Sequence, residues 1–451
     1  MIITFGRVRA LWVIVGLSVL LRLGAALWLG DQVASPALLT DQVSYHTLAV
    51  RLLGGHGYSF DKGWYPFTQA EQPTAHWSFV YPLFVGAVYA VAGVHPLAVR
   101  VVQALLGGIL LPLAAYRLTK AALPDSAKVD SPGHADSLPL AGACLAAFYG
   151  YFVLYAATIM TETAFLLCVL WVLERVLVLE RALAEPQGER QLAALGVPLG
   201  FGLGLGVLLR QSLLPAAGVL LAYLLWTGWR NGAVGAAIRH VGAAVFIIAF
   251  LVLPWTARNA VVFGDFLPLN SNAGYAMFSA QHPLHGTRFQ EFAAAPVPPE
   301  ILGQPEPQMD RALLREGIRF VAEDPGRYLR LSLSRVRAFF EFWPTGDTSL
   351  LHNVGRVASA LLLLPTLLLG LGLLACRLEL VGRLRALILF SAVYTAQHVL
   401  TWAMVRYRLP VDAALLPVAA LGMVGMVERS SAKIRRWRGQ ASARQVLTQR
   451  R

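Results

Sequence analysis

Two carboxylates and a set of arginines stand where apolar runs end. The stretch "LLTDQVSYHTLAVRLLGGHGYSF" (38–60) carries Asp41, and "TIMTETAF" (158–165) carries Glu162. Arg210 lies in "LLRQS", Arg258 in "PWTARN", and Arg406 and Arg408 in "MVRYRLPVDAALLP". A carboxylate can take a proton from a hydroxyl, and a guanidinium fork can hold a phosphate. Each residue also has a plainer reading. Asp41 and Glu162 suit the start of a helix, where the macrodipole and capping favour acids. An interfacial Arg258 can snorkel. Arg408 can pair with Asp412 one turn on. Tyr45 follows Asp41 at spacing four, on the same helical face. "GGHGY" (54–58) then ends that helix.

The elements that must position these residues are membrane helices. The chain has 451 residues, 57% hydrophobic and 14% charged, with mean hydropathy +0.58. Soluble domains carry about 25% charged residues, so this composition belongs to the membrane class. Helices are predicted over 10–29, 97–119, 138–157, 161–180, 192–209, 212–228, 238–255, 355–376, 384–402 and 409–427. The fold expected is an all-α polytopic bundle, a single domain over 1–427. The run at 11–30 reads as an uncleaved first membrane helix. Arg22 within it needs protein or water beside it. Residues 79–93 are apolar but short for a span, and read as interfacial or re-entrant.

Basic residues orient the bundle. Arg7, Arg9, Arg117, Lys120, Arg230, Arg239, Arg377, Arg383 and Arg385 all fall on one side if the N-terminus is cytoplasmic. Residues 428–451 read as a basic cytoplasmic tail. From Arg429 onward there are eight Lys or Arg and no acid, which accounts for much of the net +13 without invoking nucleic acid. This orientation puts two long segments outside, 30–78 and 256–353. In the second, Pro-rich "APVPPEILGQPEPQ" reads as a loop. The helical pattern after it breaks at Asp324-Pro325. Its second half presents Leu329, Leu333, Val336 and Phe340 on one face, as a helix lying on the membrane does. "GFGLGLG" (200–206) sits inside an apolar run and reads as small-residue helix packing, not a nucleotide loop. Cys144, Cys168 and Cys376 share no metal spacing and read as small buried hydrophobes. No His/Cys cluster suggests zinc.

Seven ordered pieces carry a family resemblance: "TDQVSYHTLAVRLLGGHGY", "EQPTAHWSFVYPLF", "TIMTETAF", "LLRQSLLP", "PWTARN", "EDPGRYLRLSLSRVRAFF" and "RYRLP". The chain resembles multi-pass glycosyltransferases of the GT-C superfamily. It is most similar to glycosyltransferase family 39, which includes dolichyl-phosphate-mannose-protein mannosyltransferases and the lipid A aminoarabinose transferase. The resemblance implies a GT-C bundle of about 10–12 membrane helices with interfacial helices in two outer loops. It implies transfer of a hexose or pentose from a polyprenyl phosphate to a lipid, glycan or protein outside a bacterial plasma membrane. It implies Asp41 as catalytic base, Glu162 as the second acid and Arg258 near the lipid phosphate. It extends to Arg210, Arg406, Arg408, Tyr45 and His76 as residues facing donor phosphate or sugar. Two departures bear on the substrate. Many relatives have Asp-Glu where this chain has Asp41-Gln42, and "PPGYP" where it has "SFVYP".

One base and no enzyme nucleophile imply inversion at the anomeric carbon. A divalent metal between Asp41 and Glu162 is left open by the residues. Two other function classes compete: a transporter or flippase of lipid-linked sugars, and a non-catalytic envelope scaffold. A transporter predicts ionisable residues in broken helices near the bilayer midplane. Here Arg22 and Arg100 are the exceptions to a pattern of charges at the outer boundary.

Overall fold

The computed structural model describes residues 2–33, 40–66, 68–123, 137–184, 195–290, 293, 295–346 and 348–429. Nearly all of the predicted basic tail lies outside them. The helices in chain order are α1 (Ile2–Leu29), α2 (Thr40–Leu53), α3 (Val80–Ala92), α4 (Pro96–Ala122), α5 (Ser137–Phe148), α6 (Gly150–Ala157), α7 (Glu162–Ala184), α8 (Gly196–Leu209) and α9 (Leu214–Arg230). They continue as α10 (Val234–Phe263), α11 (Ala273–Gln281), α12 (Glu306–Glu323), α13 (Pro325–Phe339), α14 (Leu350–Ala375), α15 (Leu378–Arg383), α16 (Arg385–Leu400), α17 (Val405–Ala414) and α18 (Leu416–Arg429). No named strand occurs among the described residues.

Eight of the ten predicted membrane runs each fall on one of these helices, and the runs at 138–157 and 409–427 are each broken into two, α5–α6 and α17–α18. Among the described residues, five helices are long and apolar enough to cross a membrane, or seven spans result when two bent pairs each count as one. The other three, α7, α8 and α16, are too charged or too short by that measure. The chain is a multi-pass membrane protein. The bent pairs are α5–α6, turning by 51°, and α17–α18, turning by 67°.

A helix broken inside a bundle frees backbone carbonyls that need donors. Arg22 supplies them at the first break. It is fully buried, and its guanidinium donates to the carbonyls of Ala146 and Ala147, both at 2.9 Å, in the last turn of α5. Ser18 Oγ accepts a further bond at 2.6 Å. Arg100 does the same elsewhere, donating to Gly30 O at 2.6 Å, Gln32 O at 3.0 Å and Ala157 O at 3.1 Å. The two arginines that interrupt the apolar runs are thus bound to the ends of α1, α5 and α6. The negative ends of those helices favour a cation.

The "GFGLGLG" run packs as expected. Gly196, Gly200 and Gly204 recur at spacing four along α8 and face α10. A Cβ on Gly196 would lie 2.4 Å from His240 O, on Gly200 2.6 Å from Ala244 O, and on Gly204 2.7 Å from the Leu251 side chain. Glycine is required here for backbone approach. Gly200→Val is expected to force α8 off α10 and to destabilise the fold by about 1–3 kcal/mol, as overpacking does. Thermal unfolding in detergent would record the drop, and an unchanged midpoint would refute the packing role.

Outside the bundle, α11 and α12 enclose a small core of Phe278, Val297, Ile301, Met309 and Leu313. The Pro-rich stretch wraps it. Asp324 caps α13, its Oδ1 accepting from Arg327 N at 2.8 Å, with Pro325 at the first helical position. Leu329 and Leu333 are exposed at 60% and 63%, with Val336 and Phe340 beside them, while Leu331, Arg335 and Phe339 are buried. The predicted membrane-surface face is therefore the free face of α13.

Candidate active site

Four charged residues from four separate segments meet, each at a helix terminus. Asp41 lies in the first turn of α2 and Glu162 in the first turn of α7. Arg210 follows α8 in extended backbone (φ −150°, ψ 107°), and Arg406 opens α17 after extended Met404. The acids at helix N-termini and Arg210 at a C-terminus follow the macrodipole. Arg406, a cation at an N-terminus, opposes it and is balanced by the acids it faces.

The ion pairs run as a chain. Arg406 Nη1 donates to Asp41 Oδ2 at 2.7 Å and lies 4.0 Å from Glu162 Oε1. Glu162 Oε1 is the acceptor of Arg210 Nη2, and Arg210 Nε donates to Thr161 Oγ1 at 2.9 Å. The side chains grade outward, with Glu162 2% exposed, Arg210 13%, Arg406 15% and Asp41 29%. Aromatic rings support the cations. Tyr407 lies 5.7 Å from the Arg210 guanidinium and 5.2 Å from that of Arg406, with Phe165 5.5 Å from Arg210. His398 stacks on Tyr407 at 4.7 Å.

Burial alone would raise the Asp41 carboxyl. The Arg406 charge and hydrogen bond, with Arg210 and His76 behind them, outweigh it and leave it below the ordinary carboxylate range. Asp41 is thus ionised at neutral pH and reachable. Tyr45, one turn on, is buried edge-on against the Tyr81 ring at 5.0 Å. His76 is close enough to feel the Asp41 charge, with Nδ1 3.2 Å from Ser271 O. Burial lowers it to about 4, so it meets the site as a neutral ring.

Gln42, beside Asp41, has a structural partner. It is buried, and its side-chain oxygen accepts from Ile159 N at 3.0 Å. This bond ties α2 to the turn before Glu162, and so fixes one acid against the other.

Two predicted residues stand apart from the cluster. Arg408 forms the i,i+4 pair with Asp412 at 3.1 Å, with Tyr149 Oη also donating to that carboxylate at 2.5 Å. This joins the breaks of α5–α6 and α17–α18. Arg258 donates to Thr74 O at 2.9 Å and Asn259 Oδ1 at 3.0 Å, with the Trp255 ring 4.7 Å away. It lines a cavity of about 410 Å³ with Tyr58, Phe79, Leu83, Trp255 and Val262. The "PTAHWS" strip connects this cavity to the cluster, with Pro73 lining the one and His76 facing the other.

Glu306 holds that strip and was not singled out in the sequence. Its Oε2 accepts from Ala75 N at 2.7 Å and Ser271 Oγ at 2.8 Å, and burial raises its carboxyl above the ordinary range. It lies within the Pro-rich stretch, where nothing in the local pattern marks a buried acid.

The residues do not fit the divalent ion that the sequence left open. Arg406 Nη1 lies between Asp41 and Glu162, and each acid already has a guanidinium. Among the described residues no group of three His, Cys, Asp or Glu side chains is arranged to hold a metal.

No family profile and no curated protein sequence matches the chain. Solved structures do. The archaeal oligosaccharyltransferase AglB from Archaeoglobus fulgidus, in complex with an inhibitory peptide and a dolichol-phosphate, superimposes with a TM-score of 0.56 at 15% identity over 98% of this chain. The chain has the GT-C fold. A second Archaeoglobus fulgidus oligosaccharyltransferase structure, tethered to an acceptor peptide containing the NVT sequon, gives a TM-score of 0.56 at 14% identity over 94% of the chain. The chain spans 52% and 50% of the chains in those two structures, so the shared bundle corresponds to about half of each. ArnT from Cupriavidus metallidurans, bound to undecaprenyl phosphate, aligns over 91% of the chain and 77% of its own, at 13% identity and a TM-score of 0.39. In this bundle the four-charge cluster lies at the junction of α2, α7, α8 and α17.

Proposed function

We propose that the protein transfers a sugar from a polyprenyl-phosphate donor to an acceptor outside the membrane, with inversion at the anomeric carbon. The observation that carries this reading is the convergence of Asp41, Arg406, Glu162 and Arg210 on a GT-C fold. Sugar transfer from a lipid phosphate needs a base for the acceptor hydroxyl and cations for the charge that builds on the leaving phosphate. Asp41, ionised and the most exposed of the four, takes the proton. Arg406, with Arg210 beneath it, faces the phosphate. Glu162 is the buried counter-charge that keeps the two guanidiniums together. Tyr45 and His76 bound the sugar side as neutral groups.

The apolar cavity with Arg258 on its wall supports a role in admitting the lipid. Phe79, Leu83 and Val262 suit an isoprenoid, and the guanidinium suits an anionic head. Arg258→Ala is therefore expected to weaken donor binding more than turnover. Cytoplasmic placement of both termini is supported by the basic clusters at one set of helix ends, and placement in a bacterial plasma membrane by the family resemblance alone. The acceptor is a lipid, glycan or protein of the envelope, and the sugar a hexose or pentose.

The test is incubation of purified protein with a panel of polyprenyl-phosphate sugars, with and without envelope extract. Acceptor-dependent release of polyprenyl phosphate from at least one donor is expected. Release from none, with any extract, would overturn the reading, as would a product retaining the donor's anomeric configuration.

A further inference from the structure

We propose that the donor phosphate and the Asp41 carboxylate compete for the Arg406 guanidinium, so that donor binding itself frees the base. This rests on the function proposed above. It addresses a difficulty in that reading, because the base is engaged before any substrate arrives. Arg406 Nη1 donates to Asp41 at 2.7 Å, and a carboxylate neutralised in this way takes a proton poorly.

The cluster is unequally fixed. Arg210 is anchored twice, by Glu162 and by Thr161 Oγ1. Among the described residues, Arg406 is anchored strongly only by Asp41. Its Nη2 reaches Tyr407 Oη at 3.4 Å, and its Nε is buried without a partner. The same Nη1 that holds Asp41 lies 4.0 Å from Glu162 Oε1, which has the charge to receive it if Asp41 lets go. Asp41 and Arg406 are also more exposed than the Glu162–Arg210 pair beneath them. An arriving anion therefore reaches the looser pair first.

A phosphodiester on Arg406 takes the hydrogen bonds that Asp41 had. The freed carboxylate then accepts the proton of the acceptor hydroxyl. The acceptor oxygen bonds to the anomeric carbon as the bond from that carbon to the phosphate oxygen breaks. The electron pair leaves with polyprenyl phosphate, whose added negative charge falls on Arg406. Donor binding precedes base activation, and the acceptor is deprotonated only when a donor is present.

The experiment is titration of undecaprenyl phosphate, without sugar, into wild-type protein, Asp41→Asn, Arg406→Gln and the double variant. Removing the competitor is expected to tighten binding about tenfold in Asp41→Asn, that is about 1.4 kcal/mol. The gain should vanish when Arg406 is also replaced. Asp41→Ser removes the same charge and serves if the Asn variant does not fold, with thermal melting as the check. Unchanged affinity in both Asp41 variants overturns the competition. So does a tenfold gain that persists with Arg406→Gln, because that is simple charge repulsion. Failure of the wild type to bind undecaprenyl phosphate would overturn the proposed function itself, and the competition with it.

Discussion

Asp41→Asn is expected to lower the rate of sugar transfer about a thousandfold, within the range for loss of a general base. The substitution keeps the size of the side chain and an oxygen that can still accept from Arg406. What it removes is the ability to take a proton. The loss should therefore fall on kcat, while KM for the donor falls rather than rises, the pattern left when a ground-state constraint is removed together with the base. The pH dependence follows from the same geometry. Burial raises the free Asp41 carboxyl, but Arg406 and the cations behind it bring it below the ordinary range. In the free enzyme it is ionised throughout the neutral range, so the acid limb of kcat/KM should begin below the usual Asp value of about 3.9. A limb between pH 6 and 7 would point to another base.

The second large effect concerns stability. Arg210→Met is expected to destabilise the fold by about 3–5 kcal/mol, the cost of breaking a buried ion pair from one side. Glu162 is only 2% exposed, and its Oε2 already lacks a partner. Without Arg210 its nearest cation is Arg406, 4.0 Å away and already held by Asp41. Thr161 Oγ1 loses its donor as well. Replacing both members, Arg210→Met with Glu162→Leu, should recover most of the loss, since removing the pair together leaves no stranded charge. Thermal unfolding of the two variants in detergent separates the cases. Equal destabilisation would mean that the pair is not what holds these helix ends together.

The helices were legible because their signal is local. A run of about 20 apolar residues requires internal hydrogen bonding, and in a lipid-facing chain that means a helix. The acids were legible too, because each begins a helix just after an apolar run ends. Their partners were not. Arg406 is 365 residues from Asp41 and 244 from Glu162, and nothing in "VRYRLP" says which of its two arginines turns toward the acids. The bend after Ala414 and the pull of Asp412 decide that for Arg408. Arg258 was grouped with the acids because it also marks an outer helix end, yet it is on the far side of the strip that Glu306 pins. Glu306 itself was hidden by composition. Flanked by prolines in a loop, it gave no period, and its burial depends on a strip some 230 residues earlier.

The most direct measurement is transfer of a labelled sugar from its polyprenyl-phosphate donor in proteoliposomes, with wild-type protein beside Asp41→Asn. The account predicts label on an external acceptor with the wild type and essentially none with the variant, while both bind the donor. Transfer by Asp41→Asn at the wild-type rate would contradict it.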